Sequence, residues 1–240
     1  MAPTELQELR QRLIVALDVP NGGAAQRLVQ QTGDSVAFYK VGLQLFTAEG
    51  PGIVRELVAA GRKVFLDLKL HDIPNTVSKA VQAAAELQVS MLTIHGSGGA
   101  AMLKAAVDAA GGRLSLLAVT VLTSLNDNDL QEIGFSGGTM EQTLRIASLA
   151  RACGCSGIVT SPREVAGIRK LLGEGFDIVV PGVRPLGADR NDQERTATPA
   201  QAIASGATHL VVGRPITGAP NPAEAANAIL EEMAGAVAAR

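Results

Sequence analysis

The sequence predicts an α/β fold, a (β/α)8 TIM barrel in preference to an open doubly wound sheet, on three observations. Eight short β-rich runs alternate with longer Ala- and Leu-rich helical stretches. The 240 residues suit one such barrel, and no low-complexity linker or composition break divides them, so 1–240 reads as a single barrel domain. Charged residues also fall where a buried parallel strand is normally apolar. Strand count favours the barrel, although counting alone does not close a sheet.

The runs lie at 13–19, 38–41, 63–70, 91–95, 114–122, 157–160, 177–180 and 209–212. Helix starts are punctuated between them. Ser161-Pro162-Arg163-Glu164 and Thr198-Pro199-Ala200-Gln201 place a cap, a first-turn proline and a reciprocal acidic or amide residue in order, and Asn221-Pro222-Ala223-Glu224 is similar. Asn126-Asp127-Asn128-Asp129 lacks the glycine and distal glutamate of a calcium-binding loop and reads as a turn or helix cap. Two connections, 123–138 and 181–197, are longer than the rest. Both follow a strand, which in a barrel places them at the C-terminal face, where binding loops and active sites sit.

Composition excludes several classes. Lys plus Arg number 21 and Asp plus Glu 23, a formal net charge of −2 that argues against a nucleic-acid or anionic-membrane partner. With five Phe, one Tyr and no Trp there is no platform for stacking bases. Cys153 and Cys155 are one residue apart, which suits neither a Cys-x-x-Cys redox pair nor a zinc site. They read as two buried thiols in a reducing compartment. The apolar run 13–17 stops at Asp18, too short for a signal-peptide core or a membrane span, so a cytoplasmic location is expected.

The strongest signal is Val64-Phe65-Leu66-Asp67-Leu68-Lys69-Leu70. Alternation puts the three leucines on one face and Asp67 with Lys69 on the other. If the leucines pack on the outer helices, both charges aim into the barrel, where isolated charges cost several kcal/mol each and so should be paired. A salt bridge that merely closes the barrel end competes with a functional reading for any single pair. Asp18 and Lys40 weaken that alternative, since both also end apolar runs. Opposite charges gathered at the ends of the first three strands read as a catalytic constellation. Asp72 adds a carboxylate close in sequence to Lys69. Gly213-Arg214 follows the last run, where backbone N–H groups and a guanidinium converge on a dianion, and the long loop with Arg184 and Gln193 is placed to fold over the same group. His95 reads as a structural histidine at least as readily as a site residue; His209 reads as structural, and Arg190 and Arg195 as solvated charge.

The run Asp67-Leu68-Lys69-Leu70-His71-Asp72-Ile73-Pro74-Asn75-Thr76 resembles the signature of the orotidine 5′-phosphate decarboxylases. Leu17-Asp18, Tyr39-Lys40-Val41-Gly42, His95-Gly96, Leu122-Thr123-Ser124, Pro181-Gly182-Val183-Arg184, Asp192-Gln193 and Val212-Gly213-Arg214-Pro215 extend the resemblance over nearly the whole chain. It implies a phosphate-binding barrel that converts orotidine 5′-phosphate to UMP with neither metal nor organic cofactor. It also implies a homodimer, in which Asp72, Ile73 and Thr76 reach the neighbouring subunit's site. In this reading Lys40, Asp67, Lys69 and Asp72 form an alternating charged array, and Lys69 delivers a proton to C6 of the pyrimidine. Gln193 and Arg214 grip the phosphate, with Arg184 and Gly213 beside them. Thr123, Ser124 and Pro181 line the pyrimidine side, while Asp18, Lys40 and Thr76 hold the ribose hydroxyls.

Two alternatives stay open on sequence. Magnesium-dependent sugar-phosphate decarboxylases and aldolases of the same superfamily share Asp-x-Lys, though not the Ile73-Pro74-Asn75-Thr76 tail. A non-catalytic phosphate-ligand barrel would keep Gly213-Arg214 but has no need of four interior charges.

Overall fold

The computed structural model of the protein describes residues 3–185 and 197–238. Eight parallel strands close in sequence order into a barrel. They are β1 (Leu13–Ala16), β2 (Phe38–Gly42), β3 (Lys63–Leu70), β4 (Met91–His95), β5 (Ser115–Val119), β6 (Gly157–Val159), β7 (Asp177–Pro181) and β8 (His209–Val212). The helices are α1 (Pro3–Arg10), α2 (Gly22–Thr32), α3 (Leu43–Glu49), α4 (Pro51–Ala59), α5 (Pro74–Glu86), α6 (Gly99–Ala110), α7 (Asp127–Glu132), α8 (Thr139–Ala152), α9 (Val165–Leu172), α10 (Pro199–Ala204), α11 (Arg214–Thr217) and α12 (Pro222–Ala238). None of them is long and apolar enough to cross a membrane.

Each predicted run holds a strand, but 13–19 and 114–122 overshoot at the mouth. Leu17 N–H still reaches the Lys40 carbonyl at 2.9 Å and Thr120 N–H the Val159 carbonyl at 3.1 Å, after which each chain leaves the ladder. Asp18 is thus freed to turn over the barrel end.

The strands are apolar on both faces for most of their length, as a sheet closed on itself inside a ring of helices requires. Ile14, Phe38, Phe65, Met91, Leu117 and Val211 fill the lower interior. Their chain neighbours, such as Val15, Tyr39, Val64 and Leu92, pack outward against the helices. One period of the pleat further up, the inner row changes character. Lys40 follows Phe38, Asp67 follows Phe65 and Thr93 follows Met91, and all three are buried. Hydrocarbon forms the floor and polar groups the mouth.

The helix starts at Thr198 and Asn126 are capping boxes, each with a side-chain oxygen accepting the N–H three residues on and a reciprocal bond back. Asn221 Oδ1 accepts Glu224 N–H at 3.3 Å, the predicted cap of α12. Ser161 departs from expectation: α9 begins only at Val165, after a turn. The Ser161 hydroxyl bonds the buried Glu164 carboxylate instead, so it is engaged with an acid rather than with the helix N–H groups. Cys153 and Cys155 are both free and buried, and burial pushes the Cys155 thiol up to about 12.

At β6 the barrel wall is unusually close. A Cβ on Gly157 would lie 2.4 Å from the Asp177 carbonyl oxygen of β7, a backbone atom that has no flexible end to move aside. Gly157→Ala is expected to lower stability by roughly 1–3 kcal/mol, the usual cost of overpacking. In thermal melts that is a fall of about 2–12 °C for a chain of this size, whereas an unchanged midpoint would show that the two strands part at no cost.

Candidate active site

A cavity of about 480 Å³ opens at the C-terminal mouth of the barrel. Phe65, Ala16, Val159 and Val211 form its apolar base; Asp18, Lys40, Asp67 and Lys69 occupy one side, and Arg184 and Arg214 also line it. The four charges make a chain of alternating sign. Lys40 Nζ is 2.9 Å from Asp18 Oδ1 and 3.7 Å from Asp67 Oδ2, and Lys69 Nζ lies 2.8 Å from Asp67 Oδ1. Asp67 and Lys40 are each about 9% exposed, so their desolvation is offset by this pairing and, at Asp67, by the Thr93 hydroxyl 2.9 Å away. At such separations an opposite pair attracts by roughly 4–6 kcal/mol at an effective dielectric near 20, against a desolvation cost of several kcal/mol per ion.

The strand carrying the pair is irregular. β3 and β4 pair in register at Leu66–Leu92 and next at Leu70–Ile94, so β3 spends four residues where β4 spends two. Lys69 sits in this bulge at φ +49°; with Gln88 it is one of two non-glycine residues of positive φ among those described. A non-glycine side chain held there costs on the order of 1–3 kcal/mol, which the surroundings must supply. Asp67 and Lys69 do share the inner side, as alternation predicts. The regular strand implied by the pattern is replaced by a bulge.

Thr123, Pro181 and Gly213 join Asp18, Lys40, Asp67, Lys69, Arg184 and Arg214 in lining the cavity, so nine of the predicted site residues converge. Ser124 is exposed and outside the lining. Asp72, Ile73 and Thr76 are exposed at the start of α5, and Asp72 Oδ1 accepts the Ile73 N–H at 2.6 Å. Within one chain they do not join the array. Gln193, Arg190 and Arg195 lie outside the described residues. Gly182, which the Pro181-Gly182-Val183-Arg184 run already contains, also lines the mouth, and so does Thr217, which carries no motif; Thr93 is marked in the sequence only by its inner-row position two residues after Met91. No group of three or more His, Cys, Asp or Glu able to hold a metal ion occurs among the described residues.

His95 stacks on His71 with ring centroids 5.2 Å apart. It lines a separate hollow of about 180 Å³ with Leu130 and Ile146 rather than the main cavity. Burial, then the nearby His71 and Lys69, hold His95 below the ordinary histidine value. His209, at the opposite end of the barrel, packs edge-on against Phe38, and its Nδ1 is 3.0 Å from the Thr208 hydroxyl. Burial lowers its pKa too, although Asp177 pulls the other way.

A closed parallel barrel with paired lysines and aspartates at its C-terminal mouth, and arginines beside them, defines a (β/α)8-barrel enzyme. The chain belongs to the orotidine 5′-phosphate decarboxylase / HUMPS family, whose model matches residues 11–229. It is 49% identical to the orotidine 5′-phosphate decarboxylase of Rhodopseudomonas palustris, over 98% of this chain and 99% of that protein. Against the enzyme of the same name from Halorhodospira halophila the identity is 52%, over 94% and 97% of the two chains. The crystal structure of orotidine 5′-phosphate decarboxylase from Lactobacillus acidophilus superposes with a TM-score of 0.84 at 38% identity, covering 92% of this chain and 98% of that one.

The two lowered histidines set an acid-side dependence of stability. Both rings stay neutral in the fold but take up protons on unfolding below about pH 6.5, so the unfolded state binds more protons there. Stability is full above that value and is lost as pH falls toward the folded pKa values. The melting temperature is expected to drop between about pH 7 and pH 5.5, less steeply in His95→Gln. Equal slopes in variant and parent would remove His95 from the account.

Proposed function

We propose that the protein is a carboxy-lyase that converts orotidine 5′-phosphate to UMP and carbon dioxide in de novo pyrimidine biosynthesis. The observation that carries this reading is the alternating Asp18–Lys40–Asp67–Lys69 chain at the mouth, in a sequence about half identical to enzymes of that name. The bond from C6 to the carboxylate carbon breaks, carbon dioxide departs, and the electron pair left at C6 takes a proton from Lys69 Nζ. An ammonium suits both tasks, stabilising the developing negative charge and then supplying the proton. Solvent reprotonates the amine. Asp67 keeps Nζ in place and also faces the substrate carboxylate. Like charges at about 4 Å repel by roughly 4 kcal/mol at an effective dielectric of 20. No step calls on a metal ion or an organic cofactor.

At the other end of the substrate, Arg214 and Gly213 hold the phosphate together with Arg184 and Gln193. Thr123 and Pro181 face the pyrimidine, and Asp18 and Lys40 the ribose hydroxyls. Binding energy gathered at the phosphate stabilises the arrangement in which the ring reacts. Reduced thiols at Cys153 and Cys155 fit a cytoplasmic location for the single barrel domain, and the near-neutral net charge fits the absence of nucleic-acid and membrane partners.

Two such chains form the working unit. Ile73 is 66% exposed, the most exposed large apolar side chain among the described residues, and it lies between Asp72 and Thr76 beside the mouth. In a homodimer these three residues enter the neighbouring site, and Asp72 extends the array past Lys69.

Lys69→Ala is expected to lower turnover by at least about 100-fold, the lower range for loss of a positioned proton donor, while UMP still binds. Near-normal decarboxylation by that variant would remove Lys69 from the chemistry. Arg214→Ala should weaken phosphate-bearing substrates far more than the bare nucleoside; equal losses on both would give Arg214 a role in the fold alone.

Sharing of the site is checked by mixing two inactive variants, Lys69→Ala and Asp72→Ala, under conditions of subunit exchange. A mixed dimer then has one site with both defects and one with neither. Random exchange makes about half the dimers mixed, so activity should recover to roughly a quarter of wild type per site. No recovery, with mixed dimers verified by mass, would place Asp72 in its own subunit's site or outside the chemistry.

A further inference from the structure

We propose that Thr93 is a positioning residue for the reaction: its hydroxyl sets the orientation of the Asp67 carboxylate and secures the bulged backbone that presents Lys69. The inference rests on the roles assigned above to Asp67 and Lys69.

Thr93 is fully buried on the inner face of β4, directly beside the bulge in β3. Its Oγ1 lies 2.9 Å from the Lys69 backbone nitrogen and 2.9 Å from Asp67 Oδ1. The direction of both bonds is fixed by chemistry. A backbone N–H only donates, so Oγ1 accepts from Lys69, and the hydroxyl proton goes to the ionised carboxylate, which only accepts. Asp67 in turn accepts from Lys69 Nζ at 2.8 and 2.9 Å. The result is a closed ring through three residues, with Lys69 held at its backbone and at its ammonium.

This ring answers a local problem. A bulge removes residues from the ladder and leaves their N–H groups without a strand partner. In a buried wall, such a group costs about as much as a lost hydrogen bond. The Thr93 hydroxyl reaches into the gap and takes the Lys69 N–H, which sustains the positive φ there. It also points one oxygen of Asp67 toward β4, leaving Oδ2 as the oxygen nearest Lys40. Valine has the same shape without the hydroxyl, and serine keeps the hydroxyl without the methyl group.

The test compares Thr93→Val and Thr93→Ser with the parent and with Lys69→Ala, measuring kcat, KM and UMP affinity. Thr93→Val is expected to lower kcat by about 10- to 100-fold, the range for losing one hydrogen bond to a charged group. KM and UMP affinity should stay within about threefold, because the hydroxyl is engaged with the protein rather than with the ligand. Thr93→Ser should recover kcat to within about threefold of the parent. If Thr93→Val does not fold, Thr93→Ala carries the same comparison against serine. The proposal is overturned by a Val or Ala variant with parental kcat, by a serine variant as slow as valine, or by a loss confined to KM. Should Thr93→Val be silent while Lys69→Ala is inactive, only the role of Thr93 falls; should both be silent, the roles of Asp67 and Lys69 fall with it.

Discussion

A carboxylate buried in the mouth of a parallel barrel has to be satisfied from every side, and much of the upper barrel is organised around meeting that demand for Asp67. Two ammonium groups and one hydroxyl converge on its oxygens, from β2, from its own strand and from β4. Removal of any one leaves the others facing an imperfectly compensated charge, so the members of the set depend on one another. Asp18 completes the arrangement on the outer side of Lys40 and remains largely in water, where it is cheap to keep ionised.

The lower barrel confines this concentration of charge to the mouth, because hydrocarbon below offers it no partners. Phenylalanines on β2 and β3 and the methionine on β4 fill the interior beneath the array, and the helices cover the outer face. The buried charges Lys40 and Asp67 therefore lie above this layer, where strand ends and loops can still supply partners. The strand with the heaviest demand, β3, is also the one that leaves regular geometry. A flat ladder would present Asp67 and Lys69 in a simple alternating row; the bulge instead lets lysine curl back on its own strand's carboxylate while β4 keeps its pairing at Leu70.

Much of this was legible in the residues themselves. Period-two alternation placed Asp67 and Lys69 on one face, and the ends of the apolar runs marked Asp18 and Lys40. Strand positions followed from β-rich runs bounded by helical stretches, with the ends off by one residue at several strands and by more where Leu17 and Thr120 keep one ladder bond before turning away. The bulge left no trace, because it is signalled neither by a glycine nor by an asparagine at the left-handed position; lysine is held there by tertiary bonds alone. Thr93 was hidden for a related reason, since threonine is an ordinary strand residue and its importance comes from what stands opposite. Ser161 misled in the other direction: the reciprocal acid of its cap sequence, Glu164, is buried and takes the hydroxyl itself, and the helix starts only after it.

The array has a further physical consequence through its balance of sign. Asp18, Lys40, Asp67 and Lys69 carry two charges of each kind, so that side of the cavity is internally neutral and tightly paired around the buried Lys40 and Asp67. Arg214 stands in the same mouth but is exposed to solvent. Dissolved ions therefore act unevenly on the two regions. At physiological ionic strength the screening length is about 8 Å, enough to weaken the pull of an exposed guanidinium on an approaching anion while hardly touching contacts of a few ångströms between buried partners. Added salt should be felt as a tax on capture, paid at the guanidinium, and leave the internal geometry of the reacting end as it was.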